Sequence, residues 1–332
     1  MALGLDVGTS FIISAKDKGE TVEYKEFRDA FYRITPTTPI AAKMIEKGLV
    51  GKKFFKDSNG ALVIMGQDAI EKAVERHESA QRPMVAGVLA PGEKDARRIL
   101  KFIISEVVGV PATPGEKVVY SVPGQPVDVP VAQFDVGFHE DVLKKDLEEL
   151  GFTAQPINEA EAICFSELEE EDYTGIALSF GAGMVNACIM SNGEALIRFA
   201  TTKSGDWIDR MVSIATREPD SVVQQQKEDG GFVVGQPNPD PILSACAAYY
   251  DRLITYTVQQ LKAVLVGSGD LRKFKDPLSI VIAGGTSRAA GFVDKFREVV
   301  KNTELPIEVK EVRPAKDQLR AVARGCMIAA NL

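Results

Sequence analysis

The sequence predicts an α/β protein of two similar domains facing each other across a cleft, each with a mixed sheet and flanking helices. Three observations predict it. The chain has 332 residues, about twice the usual domain length. Strand-like runs alternate with helix-period segments along its length. Each half also opens with the same device, an apolar strand, a glycine turn and a second apolar strand. Gly4-Leu5-Asp6-Val7-Gly8-Thr9-Ser10 sets the pattern, and Ala177-Leu178-Ser179-Phe180-Gly181-Ala182-Gly183 repeats it about half the chain later.

The elements follow in order. Residues 3–7 and 11–13 read as strands around a bend at Gly8, with 21–28 as a third strand. The spacing of Ala69, Ile70, Ala73 and Val74 predicts a helix over 66–79, and Ile99, Leu100, Phe102, Ile103 and Val107 predict one over 94–108. A buried strand over 117–122 closes at Pro123-Gly124. An amphipathic helix over 139–150 ends at Gly151, followed by a strand at 153–157 and a helix over 160–170. In the second half, strands are expected at 175–180, 184–190 and 194–200, the last two joined by a hairpin turn at Asn192-Gly193. Helices are expected over 206–215, within 240–266, over 291–300 and over 318–330, with strands at 278–283 and 305–309. The segments 87–92 and 230–241 read as loops.

Composition excludes several classes. With 45% hydrophobic and 26% charged residues the chain is neither disordered nor fibrous, and no apolar window is long enough to span a membrane. The first residues lack a basic region and a cleavage site, so no signal peptide is expected. A net charge of −8 argues against a uniform grip on nucleic-acid phosphates, and no nucleic-acid partner is expected. Cys164, Cys188, Cys246 and Cys326 are scattered without a CxxC pair, and His77 and His139 lie far apart. Buried reduced thiols in a cytoplasmic protein are therefore expected, not a zinc site.

The chemistry concentrates at three glycine turns. Gly8, Gly181 to Gly183, and Gly284-Gly285 each follow an apolar strand. Glycine lets backbone N–H groups come close to an anion, so turns from both domains suit a polyphosphate gripped from two sides. None is a P-loop and none carries a GxGxxG fingerprint. Asp6 is the one ionisable residue between Leu3 and Phe11, at the end of a buried strand. It reads as an organiser of metal-bound water, with Mg²⁺ held through a carboxylate, waters and nucleotide phosphates. The alternative is a turn-capping aspartate.

These residues resemble a known superfamily, that of actin, DnaK-type chaperones and sugar kinases. Residues 4–10 resemble its first phosphate motif, 157–162 its first connecting motif, and 178–184 its second phosphate motif. Ser204-Gly205-Asp206 is similar to the glycine-aspartate turn opening the outer part of the second domain, Ile282 to Ser287 to the adenosine motif, and 314–325 to the second connecting helix. All occur in order over nearly the whole chain. Arg82 to Ala90 and Val122-Pro123-Gly124 resemble segments of MreB-type prokaryotic actins, and the length leaves no room for a chaperone's substrate domain. The resemblance implies two actin-like (ribonuclease H-like) domains, 1–158 and 159–314, with residues 315–332 returning to the first as a helix. It implies ATP or GTP bound with Mg²⁺ by Gly8, Thr9, Ser10, Gly181, Ala182, Gly183, Gly205, Asp206, Gln226, Lys227, Gly284, Gly285 and Thr286. Asp6 would be the metal-facing residue and Glu159 the one that orients a water, or else a carboxylate favoured by the start of its helix.

The second phosphate motif departs from the superfamily pattern. Where aspartates and a threonine are usual, this chain has Ser179, Met184 and Asn186. Charge loss at a phosphoryl-transfer site slows hydrolysis more than it weakens binding. The expectation is a nucleotide-dependent filament former, a weak ATPase at most. The alternatives are a non-polymerising nucleotide sensor or chaperone-like regulator, and, less supported, a small-molecule kinase. Trp207 is expected to pack between subdomains. Lys52-Lys53-Phe54-Phe55 reads as an edge strand, with weak membrane-surface contact as its second reading.

Overall fold

The computed structural model describes residues 2–131, 134–268, 274 and 276–332. In the first half, β1 (Leu3–Val7), β2 (Phe11–Asp17) and β3 (Val22–Arg28) form an antiparallel meander. The chain then leaves this sheet to build an outer unit of β4 (Phe31–Ile34), α1 (Pro39–Gly48), β5 (Phe54–Lys56), β6 (Leu62–Met65) and α2 (Gln67–Glu75), with strand order β4-β6-β5. A short hairpin, β7 (Met84–Val85) with β8 (Val88–Leu89), leads back. The half is completed by α3 (Ala96–Val108), β9 (Lys117–Val122), α4 (Val136–Glu149) and β10 (Thr153–Asn158).

The second half follows the same plan. After α5 (Glu159–Glu167) come β11 (Gly175–Phe180), β12 (Val185–Ser191) and β13 (Glu194–Thr201). An outer group of helices follows, α6 (Gly205–Thr216), α7 (Asp220–Asp229) and the long α8 (Pro241–Gly267). Then come β14 (Leu278–Ala283), α9 (Phe292–Asn302), β15 (Val309–Pro314) and α10 (Ala321–Asn331). The two large sheets have the orders β3-β2-β1-β9-β10 and β13-β12-β11-β14-β15, each a three-stranded meander extended by two parallel strands. The repeat seen in the sequence is thus a repeat of topology.

Central strands of such sheets are covered on both faces and read as unbroken apolar runs. Every residue of β11 and of β14 is buried. Between the sheets lie α5 and α10, whose alanines and cysteines pack against Ile13 and Val119 on one side and Ala177, Cys188 and Val281 on the other. The two helices cross closely because their contact residues are small. A Cβ on Gly325 would stand 1.8 Å from the Ala162 carbonyl oxygen, so only glycine fits there. All four cysteines are buried and unpaired.

Several expectations are corrected. The strand expected at 305–309 lies at Val309–Pro314, in parallel register with β14 from Leu278 opposite Val309. Pro306 cannot donate to a ladder, and Leu305 and Ile307 pack on the core from an irregular approach instead. The helix expected over 66–79 stops at Glu75, and the chain turns through His77 at φ 55°. The last helix begins at Ala321, after a turn in which Asp317 accepts from the Leu319 and Arg320 N–H groups. Missed altogether were β4, β6, α1, α7 and the hairpin β7–β8, whose second strand lies in the segment 87–92 expected as a loop. The α1 helix buries no residue and exposes Ile40 and Met44; its sequence signal is the Thr38 cap, which accepts from the Ala41 N–H, with Pro39 in the first turn.

Residues 54–56 form the edge strand β5, as read from the sequence. At the surface Lys52 pairs with Asp68 and Lys53 with Glu106, and Phe55 lies under the Arg98 guanidinium. Trp207 packs edge-on against Tyr249, joining α6 to α8. No described helix is long and apolar enough to cross a membrane.

Candidate nucleotide cleft

The turns that follow β1, β11 and β14 converge on one cavity of about 590 Å³ between the two halves. Ligands of α/β sheets sit outside the carboxyl ends of the strands, and these strands present their ends there. Asp6, Gly8, Thr9, Ser10, Glu159, Gly181, Ala182, Gly183, Asp206, Lys227, Gly284, Gly285 and Thr286 all line it. Gly205 and Gln226 do not. Gly205 acts from behind, donating its N–H to the Gly181 carbonyl at 3.2 Å. Gln226 is on the wrong side of α7. Gln224, Lys227 and Glu228 share a helix face at i, i+3 and i+4 and line the cavity, whereas residue 226 points about 100° away from 227.

The second-half turn is held open by contacts to its carbonyl groups. Thr286 Oγ1 donates to the Gly181 carbonyl at 2.8 Å, and the Asp206 N–H to the Ala182 carbonyl at 2.8 Å, with the Ser204 hydroxyl on the same oxygen. The N–H groups of Ala182 and Gly183 have no acceptor among the described residues. Nor do those of Thr9 and Ser10 in the first-half turn, where Gly8 donates to the Phe11 carbonyl. Two pairs of unpartnered amides, one pair from each half, thus line one cavity. Gly183 must be glycine, since a Cβ there would stand 2.3 Å from Thr9 Oγ1 and 2.6 Å from the Gly87 nitrogen. Gly284 sits at φ 92° with the Phe180 backbone pressed against it, so the third turn also demands glycine.

Two carboxylates face each other at the floor. The Asp6 Oδ1 accepts from the Ser121 hydroxyl at 3.1 Å. Burial pushes its carboxyl up to about 7. Glu159 opens α5 just after the cap Asn158, whose Oδ1 accepts from the Ala160 and Glu161 N–H groups. Burial, reinforced by the Asp6 charge, pushes Glu159 up to about 8. Asn186 donates to Glu159 Oε2 at 2.9 Å and accepts from the Gly124 N–H at 2.7 Å. The Met184 side chain is buried beside Gly87 and Pro123, where the family pattern has a hydroxyl.

The residue types fit a hydrated divalent cation at Asp6. A buried carboxylate pair with no cation among its hydrogen-bond partners is the environment a hard, oxygen-seeking ion offsets. Among the described residues no group of three or more His, Cys, Asp or Glu forms a protein-only metal cage, which suits an ion held chiefly by water and phosphate.

The outer wall is ionic and spans both halves. Arg82 reaches Asp206 at 2.5 Å, and Arg28, stacked over Phe11, reaches Glu228 at 2.5 Å. Buried Lys227 and Asp209 pair at 2.6 Å, with burial pushing Asp209 up to about 6. The Ala80 N–H donates to the Ser221 hydroxyl at 2.7 Å. Arg28, Gly87, Gln224 and Glu228 line the cavity without having been expected. Helix periodicity around Lys227 signalled Gln224 and Glu228, but no local pattern signalled Arg28 or Gly87.

Two repeated halves around a cleft of three glycine turns make up an actin-like fold. The resemblance read from the motifs is borne out by solved structures. The MamK double helical filament shares 18% identity over 99% of this chain and 98% of that one, with a TM-score of 0.70. MreB 5 of Spiroplasma citri bound to AMPPNP shares 14% identity over 98% and 94%, with a TM-score of 0.67. The ethanolamine utilization protein EutJ from Carboxydothermus hydrogenoformans shares 13% over 98% and 89%, with a TM-score of 0.55. At these identities the likeness shows the fold. No curated protein matches by sequence. The chain belongs to the Volactin family, whose model matches residues 1–330.

Proposed function

We propose that this protein is an actin-like cytoskeletal protein that binds ATP or GTP with Mg²⁺ in its cleft, forms nucleotide-dependent filaments and hydrolyses the nucleotide slowly. One observation carries the reading: two pairs of free backbone N–H groups, from Thr9-Ser10 and Ala182-Gly183, line a single cavity. Such amides are an anion site that both domains share. ATP is favoured over GTP by the AMPPNP described for the MreB 5 structure, and filaments by the one described for MamK. The reading divides the chain after residues 158 and 314, with α10 returning to the first domain. A reducing cytoplasm suits the four buried thiols.

When bound, the nucleotide supplies a phosphoanhydride and the cation neutralises charge on it. The turn amides position the phosphates. Asp6 would hold the cation. Glu159 would orient the attacking water. Gly284 and Gly285 pack against the base, with Lys227 and Glu228 near the sugar. Ser179, Met184 and Asn186 supply no charge, which is why hydrolysis is slow. Because the ligand touches both halves, binding favours the closed arrangement.

The test combines calorimetric titration of ATP and GTP in the presence of Mg²⁺ with sedimentation before and after nucleotide removal. Binding and nucleotide-dependent pelleting support the reading. No binding at millimolar nucleotide sinks it. Binding without pelleting, well above cellular concentrations, leaves the sensor reading in its place.

A further inference from the structure

Asn186 is fully buried, and its amide is used at both ends. The two contacts fix its orientation, because the Gly124 N–H requires the carbonyl oxygen and Glu159 then receives the NH₂ group. Gly124 belongs to the first half of the chain, whereas Asn186 lies on β12 of the second. From Gly124 the chain runs along the edge of the second sheet. Ala200 N–H donates to the Gln125 carbonyl at 3.2 Å, and Val127 N–H to the Ala200 carbonyl at 2.9 Å. The Asp128 carboxylate then accepts from the Thr202 N–H and the Tyr256 hydroxyl, both at 3.0 Å. Residues 124–128 are thus a strap of the first half laid on β13 as a short added strand, rooted at Asn186. The backbone at the root is closely packed, since a Cβ on Gly124 would stand 3.3 Å from Asn158 Nδ2 and 3.4 Å from the Phe199 carbonyl carbon.

We propose that Asn186 is a positioning residue, holding Glu159 toward the cavity and making its orientation depend on the seating of the 124–128 strap. The inference rests on the hydrolytic reading above. Asn186 holds one carboxylate oxygen of Glu159, Ser179 also bonds the carboxylate, and the group borders the cavity where a water can reach it. When the halves move apart and the strap lifts, Gly124 releases the amide carbonyl, Asn186 is free to turn, and Glu159 loses its restraint. An aspartate at position 186 would keep the Gly124 bond but turn the contact with Glu159 into a repulsion. An alanine would lose both.

The experiment is a double-mutant cycle on the full chain with Mg²⁺ and ATP. It measures phosphate release, and affinity for a non-hydrolysable ATP analogue, for the parent, Asn186→Ala, Asn186→Asp, Glu159→Gln and Asn186→Ala with Glu159→Gln. Both single changes at 186 are expected to slow release about tenfold and to leave affinity within about threefold. In the Glu159→Gln background, Asn186→Ala is expected to slow it no further. The near-isosteric Asn186→Asp keeps the test open if Asn186→Ala misfolds. Equal slowing in both backgrounds, parent-like rates at 186, or affinity falling in step with rate overturns the inference. So does a parent that binds nucleotide but releases no phosphate. A parent that binds no nucleotide overturns the reading of the cleft as well.

Discussion

Replacing Glu159 with glutamine should make the ligand-free protein more stable in alkali while disabling its chemistry. Glu159 and Asp6 are buried together, and burial pushes them up to about 8 and about 7 from ordinary values of 4.5 and 3.8. A carboxyl raised in the folded state binds a proton that the unfolded chain has already lost. Stability is therefore fully present below about pH 4 and falls as pH rises toward 8. Three pH units at ~1.4 kcal/mol each set a ceiling of ~4 kcal/mol for one such group, and relaxation of a buried site toward water brings the expected effect to ~2 kcal/mol. Glutamine keeps the shape and an oxygen to accept from Asn186, but never ionises. Urea unfolding without nucleotide and with EDTA, at pH 5 and pH 8, gives the measurement. Glu159→Gln should exceed the parent by ~2 kcal/mol at pH 8 and match it at pH 5. A gain of the same size at both pH values, or a loss at pH 8, would refute the burial argument.

Three further outcomes are expected. Asp6→Ala should remove the Mg²⁺-dependent part of nucleotide affinity, so that titrations with and without EDTA coincide for the variant but not for the parent; a retained Mg²⁺ effect would assign the cation elsewhere. Gly183→Ala should weaken nucleotide binding at least tenfold, because its Cβ overlaps Thr9 and the Gly87 backbone; parent-like titration would show that the two turns separate freely. Steady-state phosphate release should stay below ~1 per second, since Ser179 and Asn186 bring no charge to a reaction that depends on charge stabilisation, and faster turnover would show that the substitutions are compensated.

The repeat was legible because both halves use central strands buried on both faces, and such strands announce themselves as short apolar runs closed by glycine. β1, β11 and β14 read directly for that reason. The outer parts did not read. In α1 the apolar residues Ile40 and Met44 face outward, and β4 is a four-residue strand whose partner lies across an intervening helix, although β6, a buried run from Leu62 to Met65 closed by Gly66, carries the same signal as β1. Local pattern carries no signal for an element whose stability comes from a distant pairing.

The site divided along the same line. Residues whose role is backbone geometry, such as Gly8, Gly183 and Gly284, were found because glycine at the end of a buried strand marks a close approach or a backbone angle that a Cβ would forbid. Gln226 was misplaced because a loose motif match fixes a segment but not a helix phase. One residue in a helix of 3.6 per turn swings the side chain about 100° off the cavity wall. Arg28 and Asn186 depend on chain segments far away, Glu228 and Gly124 respectively, and no window of sequence holds both partners. Those cross-half contacts are the ones able to sense whether the cleft is closed. Contacts within one half survive any rigid motion of the domains, whereas the Arg28–Glu228, Arg82–Asp206 and Asn186–Gly124 pairs must break when the halves part. The residues legible in sequence are therefore mainly those that bind, and what became visible only in the fold are the cross-half pairings that couple binding to shape.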